Sequence, residues 1–85
     1  MLPKALLLVD LAAESARRSV GQWAQIEEVG ADRCRLRMTV DNLDWTALAL
    51  GSLGAEFEIV NPPELLERVH EWASRFGRAR RALSA

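Results

Sequence analysis

Hydrophobic and polar positions alternate in short stretches of this chain, and each stretch predicts a strand. The clearest is residues 33–40, where every second side chain is apolar and three of the polar ones are arginines. A period of two places one set of side chains in the core and the other in solvent. Residues 56–59 alternate in the same way. An apolar run over residues 5–11 and a short stretch over residues 25–29 predict two further strands, and a glycine turn makes the second of these a hairpin with residues 33–40.

Helical periodicity fills the intervals between these strands. Residues 12–23 carry Ala13, Ala16, Val20 and Trp23 at spacings of 3, 4 and 3, which is one stripe of an amphipathic helix. A last helix beginning at Pro63 carries a similar stripe that extends to Phe76. A middle helix that ends near Leu53 is apolar around most of its circumference, a pattern typical of a helix that is covered on more than one side.

Local signals predict where these helices begin and end. Asn42 or Asp44 can cap the middle helix, because a short polar side chain accepts from the free N–H groups of the first turn. Gly54 suits the left-handed residue that follows a helix. Pro62 and Pro63 fit the start of the last helix, since proline has a fixed φ and no N–H group.

The predicted order is therefore β-α-β-β-α-β-α in a single domain over residues 1–85. The fold class is α+β: a ferredoxin-like βαββαβ arrangement with an extra C-terminal helix. Right-handed crossovers place the helices on one face of a four-stranded antiparallel sheet with the strand order 4-1-3-2. We expect one core to contain Trp45, Leu53, Phe57, Ile59, Leu36, Met38 and Val69.

A single layer of helices leaves the other face of the sheet open, and this face holds the candidate functional residues. They are Leu6, Leu8, Arg33, Arg35 and Arg37, with Glu56 and Glu58 on the far side. Two leucines facing water on the central strand predict an interaction surface. The expected partner is a second copy of the domain or the preceding domain of a longer regulator, and the arginines could also bind the phosphate groups of a nucleic acid. In the alternative interpretation, the arginine side chains cover the leucines.

The three arginines project from the same face about 7 Å apart, twice the rise per residue of a strand, and they repel one another unless anions compensate. Glu27 or Glu28 on the neighbouring strand can reach them. Glu56 and Glu58 are separated from them by the central strand, so we expect no ion pair with these two acids within one subunit. At least one arginine is then expected to face an anionic group on a partner.

Composition and charge argue against most catalytic and metal-binding classes. The net charge is −1 and the isoelectric point is near 5.8, whereas an independent nucleic-acid-binding domain is usually basic. The single cysteine, Cys34, excludes an internal disulfide and is expected to be a buried apolar residue. His70, the single histidine, has no convergent partners in the sequence. We therefore expect a protein that is not an enzyme and has no metal or cofactor.

One segment of the chain resembles a known family. The segment resembles the C-terminal extension (WCX) domain of bacterial WYL-domain transcriptional regulators. In both, a helix that contains a tryptophan is followed by Ser-Leu-Gly, a short strand and Pro-Pro-Glu-Leu. The matching residues are Trp45, Ser52, Leu53, Gly54, Ile59, Pro62, Pro63, Glu64 and Leu65. The resemblance is strongest over residues 33–75 and extends back to Leu6. These residues are mostly structural, so the resemblance brings no catalytic group with it.

The resemblance implies a function. It identifies the chain as the C-terminal fragment of a longer cytoplasmic regulator, in which this non-catalytic domain serves dimerisation and regulation. DNA would be bound by an N-terminal domain that these residues do not include. Two alternatives remain open: a small-molecule sensor with its ligand at a dimer interface, and a nucleic-acid-binding module. The apolar N-terminal run is too short to span a membrane, so no membrane partner is expected.

Overall fold

The computed structural model describes residues 4–83 and contains seven elements in the predicted order. The strands are β1 (Lys4–Val9), β2 (Ala24–Gly30), β3 (Arg33–Thr39) and β4 (Phe57–Asn61). The helices are α1 (Ala13–Val20), α2 (Leu43–Gly51) and α3 (Pro63–Gly77). Residues 78–83 follow α3 without regular structure. The domain was predicted over residues 1–85; its two ends, residues 1–3 and 84–85, lie outside the described residues.

The four strands form one antiparallel sheet in the order β2-β3-β1-β4, which confirms the predicted order. β1 is a central strand. Val9 lies opposite Cys34 on β3 and opposite Phe57 on β4, and Leu7 lies between Leu36 and Ile59. Because residues paired across antiparallel strands point to the same side, these pairs define the face that the helices cover.

The core lies between this face of the sheet and the three helices. Ala5, Leu7 and Val9 of β1 are fully buried, as are Cys34 and Leu36 of β3. The helices, with Leu53 from the turn that follows α2, contribute a second set of buried side chains, namely Ala13, Ala16, Val20, Ala49, Leu50, Leu53 and Leu65. Phe57, Ile59 and Val69 pack against this core and are partly buried. The predicted faces of β1 and β3 are thus confirmed.

Two tryptophans assigned to buried positions are exposed instead. Trp23 retains 45% and Trp45 retains 49% of its accessible surface. α1 ends at Val20 rather than at Trp23, and Gly21 is its C-cap, at a position where a side chain would collide with the carbonyl oxygen of Arg17. On α2 the buried face is centred on Thr46 and Leu50, and Trp45 points away from it.

The predicted boundary residues of α2 and α3 act largely as expected. Asn42 caps α2: its Oδ1 accepts a hydrogen bond from the backbone N–H of Trp45 at 3.0 Å. Gly54 has a φ of +71°, which glycine adopts without the steric cost that a side chain would add. α2 itself ends earlier, at Gly51. α3 begins at Pro63 after Pro62, with Glu64 in its first turn.

Candidate functional site

The open face of the sheet carries the candidate residues in one continuous array. Leu6 lies opposite Arg37, and Leu8 lies between Arg35 on β3 and Glu58 on β4. Gln25 and Glu27 extend this array onto β2, opposite Arg37 and Arg35. The strand register therefore brings all five candidates, Leu6, Leu8, Arg33, Arg35 and Arg37, onto the same face.

Two of the three arginines are held by carboxylates of the same chain. Arg35 donates a hydrogen bond to Glu27 within the β2–β3 hairpin, as expected. Arg33 donates to Glu58, and its Nε lies 3.3 Å from Oδ1 of Asp10. The expectation that Glu58 cannot pair with an arginine inside one subunit is therefore wrong. Arg33 is the first residue of β3 and lies beyond the last residue of β1, and its long side chain reaches across the central strand to β4.

Arg37 differs from the other two arginines. It is exposed, and within residues 4–83 it makes no ion pair. Its cross-strand neighbours are Leu6 and Gln25, and neither can neutralise a guanidinium group. Arg37 is therefore the arginine of this face that is available to an anionic partner.

The leucines of the open face are less exposed than the sequence suggested. Leu6 and Leu8 are both half-buried. Arg33 pairs with Glu58, which lies directly opposite Leu8 across the β1–β4 pairing, so charged groups lie next to this leucine. Glu56, assigned to the same face, precedes β4, and its backbone carbonyl accepts a hydrogen bond from the N–H of Asp10 at 2.8 Å. The open face is thus mixed in character rather than an apolar patch.

A second surface, on the outer side of the helices, was not singled out from the sequence. The rings of Trp23 and Trp45 pack edge to face with centroids 5.9 Å apart, and we name this pair the tryptophan ridge. Leu48, one turn further along α2, is 49% exposed. The sequence signal for this surface was the apolar circumference of α2, which predicted a helix covered on more than one side.

An open apolar groove of about 440 Å³ lies between α2 and α3. We name it the aromatic groove, because Phe57, Trp72 and Phe76 line it. Its α2 wall has mostly small side chains; the remaining lining residues are Ala47, Leu48, Gly51, Ser52, Val69 and Ala73. Phe76, in the last turn of α3, is 63% exposed.

Asp44 fixes the position of α3 beside α2. Its Oδ1 accepts a hydrogen bond from Nη1 of Arg68 at 2.8 Å and another from Nε1 of Trp72 at 2.9 Å. The hydrogen bond from Arg68, followed by that from Trp72, holds the pKa of the Asp44 carboxyl below its usual value. The same contact raises the pKa of Arg68.

The two remaining residues considered for chemistry, Cys34 and His70, differ in their exposure to solvent. Cys34 is fully buried, and desolvation raises the pKa of its thiol, although the nearby charge of Arg17 opposes this. His70 is exposed on α3. Within residues 4–83, no three metal-ligating side chains are grouped closely enough to hold a metal ion. In that same part of the chain, no helix has the length and apolar character needed to cross a membrane.

These features define the class of the protein before any comparison is made. It is an α+β domain with ferredoxin-like topology, an additional C-terminal helix and two distinct exposed surfaces. A family model, the WCX domain, matches residues 3–77, and the chain belongs to this family. The match extends over every strand and helix from β1 to α3. Neither a curated protein nor a solved structure matches the chain.

Proposed function

We propose that this WCX domain is the non-catalytic C-terminal regulatory and dimerisation domain of a WYL-type bacterial transcriptional regulator. The observation that carries the proposal is the family match, which extends over the complete fold. In such a regulator the DNA is bound by an N-terminal domain. This domain sets the spacing of two such DNA-binding domains and transmits a signal to them.

Dimerisation is the simplest way for this domain to affect DNA binding. A two-fold symmetric regulator contacts two half-sites, and the separation of its DNA-binding domains must match their spacing. A domain distant from the DNA can therefore change operator affinity by holding two subunits together.

The open face of the sheet is the surface that we assign to signal transmission within the regulator. The ion pairs with Glu58 and Glu27 hold the side chains of Arg33 and Arg35 in place. Arg37 is left to attract a carboxylate of a neighbouring domain or a phosphate group. A contact of this kind is broken and remade readily, because an exposed ion pair contributes about 1 kcal/mol or less.

The test compares the complete regulator with a version that lacks residues 3–77. We expect the complete protein to sediment as a dimer and to bind its operator tightly. We expect the shortened protein to sediment as a monomer and to bind the same DNA at least about tenfold more weakly, because one half-site contact is lost. A shortened protein with the same oligomeric state and the same operator affinity as the complete protein would rule out the proposal.

A further inference from the structure

A hollow at one end of the sheet brings two cationic side chains together. It has a volume of about 230 Å³, is bordered by β1, β2, β3 and the turn that follows α1, and is lined in part by Lys4, Gln22, Gln25, Arg37 and Thr39. None of the described residues that line it is acidic. We name it the cationic hollow.

The strand register explains why these side chains share one hollow. Lys4 lies opposite Thr39, and the next pair on the same face of these two strands places Arg37 diagonally across from Lys4. Diagonal neighbours of an antiparallel pair are about 7–8 Å apart, which long side chains can span. Gln25 lies directly opposite Arg37 on β2. All four side chains are exposed, so a small ligand has access to each of them.

The two cations of the hollow are not neutralised by the domain itself. Within residues 4–83, neither Lys4 nor Arg37 makes an ion pair. Of the acids nearest in the chain, Glu27 is held by Arg35, and Asp41 follows the end of β3 and does not line the hollow. The last turn of α1, which leads into the bordering turn, adds two further arginines. Since neighbouring like charges repel, an anion between them is stabilising.

A second hollow on the same face is a poorer site for an anion. Its volume is also about 230 Å³, and Gln25, Glu27, Arg35 and Arg37 line it. There the carboxylate of Glu27 already accepts a hydrogen bond from Arg35 and would repel an incoming anion. Further along β3, Arg33 is neutralised in the same way by Glu58. The face therefore offers one local anion site rather than the row of free cations that tracks a nucleic-acid backbone.

We propose that the cationic hollow binds a small dianionic phosphate, either inorganic phosphate or the terminal phosphate of a small metabolite. Arg37 donates from its planar guanidinium group to two phosphate oxygens, Lys4 supplies the second positive charge, and Gln25 and Thr39 donate to the remaining oxygens. A hollow of this size lies below the roughly 300–1,000 Å³ of sites for drug-sized ligands, so it suits a compact anion. The inference rests on the proposed function, which gives Arg37 an anionic partner, and names the class of that partner.

The first test titrates the complete protein with inorganic phosphate and with glycerol 3-phosphate in a calorimeter, at an ionic strength fixed with sodium chloride. Arg37→Gln and Lys4→Gln should each raise the dissociation constant about tenfold or more, because each removes a charge-assisted hydrogen bond. Arg80→Gln, in the exposed segment after α3, removes the same charge and should bind like the wild type. All three variants should unfold at the wild-type temperature. Absence of binding, or equal binding by all three variants, overturns the proposal.

The second test identifies the anion. Dimethyl phosphate carries one negative charge where a phosphate monoester carries about 1.5 to 2 at neutral pH, so it should bind about tenfold more weakly or worse. Of the two dianions, the one that binds more tightly shows whether the source is free phosphate or a metabolite. A single-stranded oligonucleotide without terminal phosphates should not displace either. If it binds more tightly than both and loses affinity in Arg37→Gln, the hollow is a nucleic-acid contact and the proposal is wrong.

The outcomes separate this inference from the proposed function, because removal of residues 3–77 tests the proposed function without any phosphate. A regulator that needs this domain to dimerise and to bind its operator, but binds neither dianion, contradicts only the phosphate site. A protein that binds phosphate through Arg37 and Lys4, but whose oligomeric state and operator affinity do not depend on the domain, contradicts only the proposed function. Phosphate binding that is lost in Arg37→Gln, in a regulator that does depend on the domain, supports both.

Discussion

Leu36 illustrates how the alternating pattern of β3 determines the environment of a single side chain. It is fully buried between Leu7 on β1 and Ile26 on β2, whereas Arg35 and Arg37 on either side of it reach solvent. The same alternation buries Cys34 completely. At the scale of the residue, therefore, position on the strand decides between core packing and surface chemistry.

Truncation of Leu36 is expected to be strongly destabilising. Leu36→Ala should lower the free energy of unfolding by about 2–5 kcal/mol, because it removes apolar contacts and leaves a cavity. Chemical denaturation followed by tryptophan fluorescence measures this loss. Thr39→Ala, at an exposed position of the same strand, is the control and should change stability by less than about 0.5 kcal/mol. A loss below that value for Leu36→Ala would contradict the assigned face of β3.

Cys34 is expected to be unreactive in the folded protein. Its thiol is fully buried and its pKa is raised by desolvation, so little thiolate forms at neutral pH and a reagent has no access to it. Alkylation by iodoacetamide at pH 8 should therefore become fast only in denaturant, as followed by mass spectrometry. Rapid labelling of the native protein would show that the thiol is open to solvent.

At the scale of elements, the joint between α2 and α3 depends on one carboxylate. Asp44 accepts hydrogen bonds from both Arg68 and Trp72, and these contacts link the first turn of α2 to the middle of α3. Edge-to-face packing of Trp72 on Phe76, with centroids 5.4 Å apart, continues the contact towards the end of α3. Trp72 also lines the aromatic groove, so this joint holds one wall of the groove in place.

The contribution of Asp44 to stability should depend on pH. Since its pKa is lower in the folded than in the unfolded state, the stabilisation is present above the unfolded value and is lost as the pH falls through the folded value, below about 4. Asp44→Asn should thus lower the thermal midpoint at pH 7 and differ little from the wild type near pH 2. Asp32→Asn, at an exposed turn, is the control. An equal difference at both pH values would contradict a role for the charge.

The whole molecule presents two faces with different chemistry. One broad face is the sheet, with its arginines, acids and half-buried leucines, and the other is the apolar outer side of the helices. The two faces therefore offer a partner different chemistry, with charged groups on one side and exposed aromatic and aliphatic side chains on the other.

The sheet face can be tested independently of the dimer. In the full-length regulator, changing Arg35 and Arg37 to alanine together should alter operator affinity several-fold, because the contact between Arg37 and its anionic partner is lost. The sedimentation of the dimer should stay unchanged. Arg80→Ala and Arg81→Ala, made together in the exposed segment after α3, remove the same charge and form the control. If DNA binding also stays at the wild-type level, the arginine stripe is a solvated face without a partner.

The sequence by itself determined much of this architecture. Periods of two and of about 3.6 residues, with Asn42, Gly54 and the proline pair as boundaries, placed all seven elements, and crossover handedness gave the strand order. These features are local, because they depend on backbone preferences and on which face of an element is apolar. The family resemblance, centred on Trp45 and the Pro-Pro-Glu-Leu segment, could also be recognised at this level.

Only the tertiary structure decided which apolar residues are buried and which charges meet. Trp23 and Trp45 match a core pattern, but α1 ends before one of them and α2 turns the other outwards. Arg33 reaches Glu58 because of the register of three strands and the length of its side chain. The aromatic groove is lined by residues from α2, β4 and α3 that are up to 29 positions apart in the chain. Such relations arise between elements that are distant in the chain, so no local pattern of residues contains them.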